Sequence, residues 1–120
     1  MKKYCIILIL KLKGKILIMK ILAIGDIVGE SGLKKACEVI PTLKKQENID
    51  FIIMNGENAA GGMGITQALF KKMLEIGVNV VTMGNHTWGK KDIFAFIDHP
   101  QLIRPANYPK GVLRERIWNI

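Results

Sequence analysis

The chain has 120 residues, 49% of them hydrophobic and 23% charged, which suits one globular domain and is too short for several. That composition excludes a multidomain protein, a collagen-like or low-complexity chain and a disulfide-stapled mini-protein. Eighteen basic against ten acidic residues give a net charge of +8. Lys2, Lys3, Lys11, Lys13, Lys15 and Lys20 carry most of that excess at one end, so no nucleic-acid-binding surface is inferred from the total.

The segment Met1–Ile18 holds a short apolar run, Tyr4 to Leu10, between lysines. A spanning helix needs about 20 apolar residues, and Lys11-Leu12-Lys13 offers no small-residue cleavage site. Residues 1–18 are therefore expected to be a leader or a mis-assigned start outside the fold, with Met19 opening the domain. A weak membrane-surface segment is the alternative. No membrane partner is expected. Cys5 and Cys37 form no CxxC or Cys/His spacing, so Cys37 is read as a reduced, half-buried thiol on a helix in a cytoplasmic protein.

From Met19 the pattern is regular. Lys20–Ile24 is a short apolar run ending at Gly25, the mark of a buried parallel strand. Leu33 to Gln46 places Leu33, Ala36, Cys37, Ile40 and Leu43 at helical spacing, with Pro41 expected to kink or split the helix. Phe51–Met54 reads as a second strand. Thr66 is a fitting N-cap for a helix to about Ile76, stopped by Gly77. Val78–Met83 is a third strand ending at Gly84, and Lys91–Ile97 a short helix closed by Asp98-His99-Pro100. Alternating strands and helices imply an α/β fold with a mostly parallel sheet.

Each strand ends in glycine beside residues able to hold a metal: Gly25-Asp26, Asn55-Gly56-Glu57-Asn58 and Gly84-Asn85-His86. In a parallel sheet the carboxyl ends lie side by side and border the ligand crevice, so Asp26, Glu57, Asn58, Asn85 and His86 are expected to converge. Carboxylate, amide and imidazole donors together suit Mn or Fe, with Zn possible. Singly, each has a plainer reading: Asp26 as a turn residue or helix cap, Glu57 and Asn58 as solvated loop residues, His86 as a structural histidine.

The stretches Gly25-Asp26-Ile27-Val28-Gly29, Asn55-Gly56-Glu57-Asn58-Ala59-Ala60 and Thr82-Met83-Gly84-Asn85-His86-Thr87-Trp88 resemble the calcineurin-like metallophosphoesterases. More closely they resemble the bacterial YmdB-like branch, described as 2′,3′-cyclic-nucleotide phosphodiesterases. Ile103-Arg104-Pro105-Ala106-Asn107-Tyr108-Pro109 fits that branch too, as does Asp26-Ile27-Val28 where the wider superfamily has Asp-x-His. The resemblance implies the N-terminal half of an α/β/β/α sandwich holding two divalent or mixed-valence metal ions, Fe or Mn. Asp26 would bind the first metal, Glu57 would bridge both, Asn58 and Asn85 would bind the second, and His86 would be the catalytic proton donor. It further implies hydrolysis of a small phosphodiester, such as a 2′,3′-cyclic nucleotide, by a hydroxide bridging the two metals, and a homo-oligomeric family.

The second half of that family supplies three more histidine ligands. The other histidine here, His99, sits in no Gly-x-His-x-His-like motif. Residues 19–111 are accordingly read as a truncated metallophosphoesterase domain and 112–120 as a tail departing from the family, as a frameshift or early stop near 111 would produce. Half a sandwich would leave one sheet face bare, which weighs against independent folding, and the chain is expected to show little or no phosphodiesterase activity by itself. A catalytically inactive remnant or interaction protein is the alternative. A dinucleotide-binding module is disfavoured, because Gly25, Gly29 and Gly32 are spaced G-x-x-x-G-x-x-G.

Overall fold

The computed structural model describes residues 2–108, with the side chains of 2–6, 8 and 10–12 left aside. The tail 112–120 lies outside the described residues. Five strands and two α-helices follow in the order β1 (Lys2–Leu12), β2 (Lys15–Gly25), α1 (Gly29–Gln46), β3 (Phe51–Asn55), α2 (Gln67–Glu75), β4 (Val80–Thr82) and β5 (Leu102–Ile103). They form one sheet in chain order, β1-β2-β3-β4-β5. Strands β2 to β5 are parallel and β1 is antiparallel to β2. The expected α/β fold with a mostly parallel sheet is present.

Laying parallel strands side by side in chain order, with crossovers of one hand, puts every crossover on the same face. The burial pattern agrees. Leu22 and Ile24 of β2, Ile52 and Met54 of β3, Val81 of β4 and Leu102 of β5 share one face and one core cluster with Leu33, Ala36 and Ile40 of α1 and Phe70 and Met73 of α2. The opposite face, the one expected to be bare, carries Ile21, Ala23, Phe51 and Ile53 half-buried and Val80 buried, with no described helix packed on it.

Local chemistry explains most element ends. Thr66 caps α2 as expected, its hydroxyl accepting from the Leu69 N–H at 3.3 Å. Helix α1 starts four residues before Leu33 and runs through Pro41 to Gln46 without a break. Proline removes one donor and one bond, and the apolar stripe on both sides of it keeps the helix docked. The segment expected as a short helix over 91–97 is a 3₁₀ helix, Lys91–Ala95, tied down by Phe96 stacked on Phe70 at 5.1 Å.

The N-terminal residues, expected to stand apart, form strand β1 and the start of β2. Lys13 and Gly14 at the turn both have positive φ, +47° and +78°, the conformation of a two-residue hairpin turn whose twist matches its strands. The register runs from Lys2 opposite Gly25 to Leu12 opposite Lys15. Strand β3, however, pairs only with Ile21–Ile24, so the hairpin continues past the sheet by about 20 Å. Along that arm Ile16, Leu17 and Ile18 are all exposed. Since successive strand residues point to opposite faces, both faces of the arm are open. The Lys20 N–H donates to Asp50 Oδ2 and the Lys20 ammonium to the Glu47 carbonyl, both at 2.8 Å, fixing the arm where it leaves the body.

Candidate metal centre

The loops after β2, β3 and β4 gather at the carboxyl ends of the parallel strands. Asp26 follows β2 directly with φ +48°, a left-handed conformation that Asp adopts more readily than most residues. Glu57 and Asn58 follow β3, and Asn85 and His86 follow β4. Backbone bonds lock the loops together: the Ile27 N–H donates to the Asn55 carbonyl, the Gly29 N–H to Asn58 and the Gly56 N–H to Thr82.

The side chains then connect across the loops. The Asn58 amide Nδ2 donates to Asp26 Oδ1 at 2.7 Å. Its carbonyl oxygen therefore faces His86, whose Nδ1 lies 2.5 Å away. That orientation assigns the proton to His86 Nδ1, because an amide oxygen can only accept. The His86 backbone N–H donates to Glu57 Oε2 at 3.4 Å. Four of the five expected residues are thus joined by contacts. Asn85 is exposed and precedes His86 in the same turn.

Gly84 sets the distance between the second and third loops. A Cβ built there would overlap the Glu57 carboxylate, so only glycine lets Glu57 lie against β4's end. Asn55 contacts the same residue twice, its Oδ1 accepting from the Glu57 backbone N–H at 3.3 Å and its Nδ2 lying 3.5 Å from the carboxylate Oε1. The Gly84 carbonyl in turn accepts from Thr87 Oγ1 and Tyr108 Oη, each at 2.6 Å, and from the Thr87 N–H at 3.1 Å. Thr87 is fully buried.

Sequence reasoning gave no role to Asn55, Thr87 or Tyr108. Tyr108 lies 24 positions beyond Gly84, and only its membership of the 103–109 stretch marked it. His99, to which no function was assigned, packs edge-on against Phe70 at 4.9 Å and accepts from the Gln101 N–H. Cys37 is free and half-buried, as expected. Among the described residues no three His, Cys, Asp or Glu side chains group around one point, so amide oxygens would have to complete any metal shell. They can: Asn58 Oδ1 keeps a second lone pair and Asp26 a second oxygen. A hard, oxygen-rich set of this kind fits a divalent cation.

A family model of YmdB-like proteins matches residues 22–117. The chain belongs to the YmdB-like family. It is 50% identical over 94 residues to the 2′,3′-cyclic-nucleotide 2′-phosphodiesterase of Bacillus subtilis, a match covering 78% of this chain and 36% of that protein. Two crystal structures resemble this YmdB-like chain. One is a hypothetical protein of Thermus thermophilus, with TM-score 0.77, 36% identity and 83% of this chain against 39% of that one. The other is a phosphatase of Mycoplasma pneumoniae, with TM-score 0.72, 34% identity and 76% against 33%. The chain spans about a third of the length of the relatives it matches.

Proposed function

We propose that the strand-end loops of this YmdB-like chain form one part of a metal-dependent phosphodiesterase site that acts on a small cyclic phosphodiester, a 2′,3′-cyclic nucleotide being the substrate class suggested by the Bacillus relative's name. The observation that carries the reading is the connected chain Asp26–Asn58–His86 at the carboxyl end of a parallel sheet. Asp26, Glu57, Asn58 and Asn85 would hold two divalent cations, with Glu57 between them. Such cations neutralise phosphate charge and activate a water for in-line attack.

The chain's own residues do the rest. Asp26 fixes the Asn58 amide by accepting from Nδ2, and Asn58 fixes the imidazole by accepting from Nδ1. This is the orienting logic of a base held by a third group. Nε2 is left for the departing ribose oxygen, to which the imidazolium delivers its proton. The neutral oxygens of Asn58 and Asn85 keep the site less negative than carboxylates would, favouring an anionic diester.

Metal binding is the first test, because it does not depend on turnover. Titration with Mn²⁺, followed by calorimetry or by the loss of the free-ion EPR signal, should show binding to the 120-residue chain. Glu57→Gln should weaken it at least about tenfold, or about 1.4 kcal/mol. Mn²⁺ binding indifferent to Glu57→Gln and Asp26→Asn would remove the basis of the reading. Hydrolysis of 2′,3′-cyclic AMP by this chain is expected to be slight, since the sequence has only two histidines. Any turnover should vanish in His86→Ala.

A further inference from the structure

Among the described residues outside the hairpin arm, the exposed large apolar side chains are Val28, Met63 and Phe94. All three sit in segments that follow the carboxyl ends of β2, β3 and β4, the end where Asp26, Glu57 and His86 meet. Exposed apolar groups and polar groups on loops at the same end of a sheet are the composition of a ligand site, where a few polar groups fix orientation and the walls are apolar. Two of the three join one cluster. Phe94 lies 5.8 Å from the Trp88 ring, centroid to centroid, at 30°. Met63 packs on Gly89, where an added Cβ would lie 2.7 Å from its Cγ.

Trp88 is itself anchored. It packs half-buried against the core, with the Arg104 guanidinium 5.8 Å above its ring and Tyr108 at 6.2 Å. A held indole flanked by an exposed phenyl and a flexible thioether offers planar and adaptable surface together. It lies two residues after His86, within about 8 Å along the chain. In a nucleotide one sugar separates phosphate from base, and the proton delivered by His86 goes to that sugar's oxygen. A base carried on that sugar would come within reach of Trp88.

We propose that Trp88, Phe94 and Met63 form a shelf that takes the planar base of a nucleotide whose phosphate lies at Asp26, Glu57 and His86. This rests on the site reading above and adds to it the part of the substrate that is recognised. Stacking on aromatic rings tolerates any base because each has a π-face, so the shelf selects nucleotides over sugar phosphates without selecting one base.

The chain's tryptophans are Trp88 and Trp118, so in Trp118→Phe the emission reports on Trp88. Adenosine 2′,3′-cyclic phosphate should quench it saturably, and ribose 5-phosphate at the same concentration should not. Phe94→Ala in that background should weaken the adenine nucleotide at least about fivefold, with Mn²⁺ binding unchanged. Phe94 is exposed, so this variant keeps its core, and circular dichroism checks that it does. Equal responses to the two ligands, no saturable quenching, or an affinity unchanged by Phe94→Ala would overturn the shelf. Normal Mn²⁺ binding with no adenine effect sinks the shelf alone. An adenine effect without Mn²⁺ binding leaves the shelf standing and removes the metal reading.

Discussion

At the scale of single residues, the site is governed by how closely two loops approach. Glu57 occupies the space a side chain at Gly84 would need, and the Gly84 carbonyl is held by Thr87 and Tyr108. Gly84→Ala must therefore move either the carboxylate or the β4 turn. The carboxylate is the end of a flexible side chain and gives way more readily than the turn, so Mn²⁺ binding should weaken while the urea midpoint moves little. Mn²⁺ affinity unchanged by Gly84→Ala would mean that the place of the Glu57 carboxylate against β4 does not matter to the site. All five candidate residues were nameable from sequence, because glycine beside ligand-type side chains recurs at three strand ends. The supports were not: Asn55 acts through its side-chain geometry, and Tyr108 through a contact that only the return of the chain after β5 creates.

Among elements, those with a long apolar period or a chemical stop could be read from the sequence. Helix α2 begins at its Thr66 cap, and β3 coincides with the Phe51–Met54 run plus Asn55. Strand β5 has two residues, too few to show a period. The Lys91–Ala95 turn is 3₁₀ because the chain tightens to bring Phe96 onto Phe70. The N-terminal hairpin is a different case. Its Lys13-Gly14 turn is a good local signal, yet its outer half has no neighbour to bury its isoleucines. An isolated two-stranded ribbon is marginal, and an apolar exposed edge invites self-association. Replacing Ile7, Ile9 and Ile18 with lysine should raise the monomer fraction in sedimentation experiments and leave the thermal midpoint within a few degrees. A large fall in the midpoint would show that the arm is packed in solution.

For the whole molecule, sidedness is the main consequence of strand order. Because β2 to β5 run in chain order, α1 and α2 cover one face, and the other carries Ile21, Phe51 and Ile53 half-buried with Val80 alone buried among its described strand residues. Adjacent residues in β3 should then differ sharply. Ile52→Ala, on the helix side and fully buried, should cost about 2–5 kcal/mol in urea unfolding. Ile53→Ala should cost less than half as much. Equal losses would show that both faces are covered alike in solution. The α/β class, the parallel core strands, the Thr66 cap and the five residues at the strand ends were determined by the sequence alone. Each depends on neighbours close in the chain or on a period of 2 or 3.6. Only the tertiary structure decided which face is covered, that the N-terminal residues pair with β2, and how Asn58 links Asp26 to His86. Those depend on contacts between residues tens of positions apart, where the free energy belongs to the packed arrangement and leaves no periodic trace in the chain.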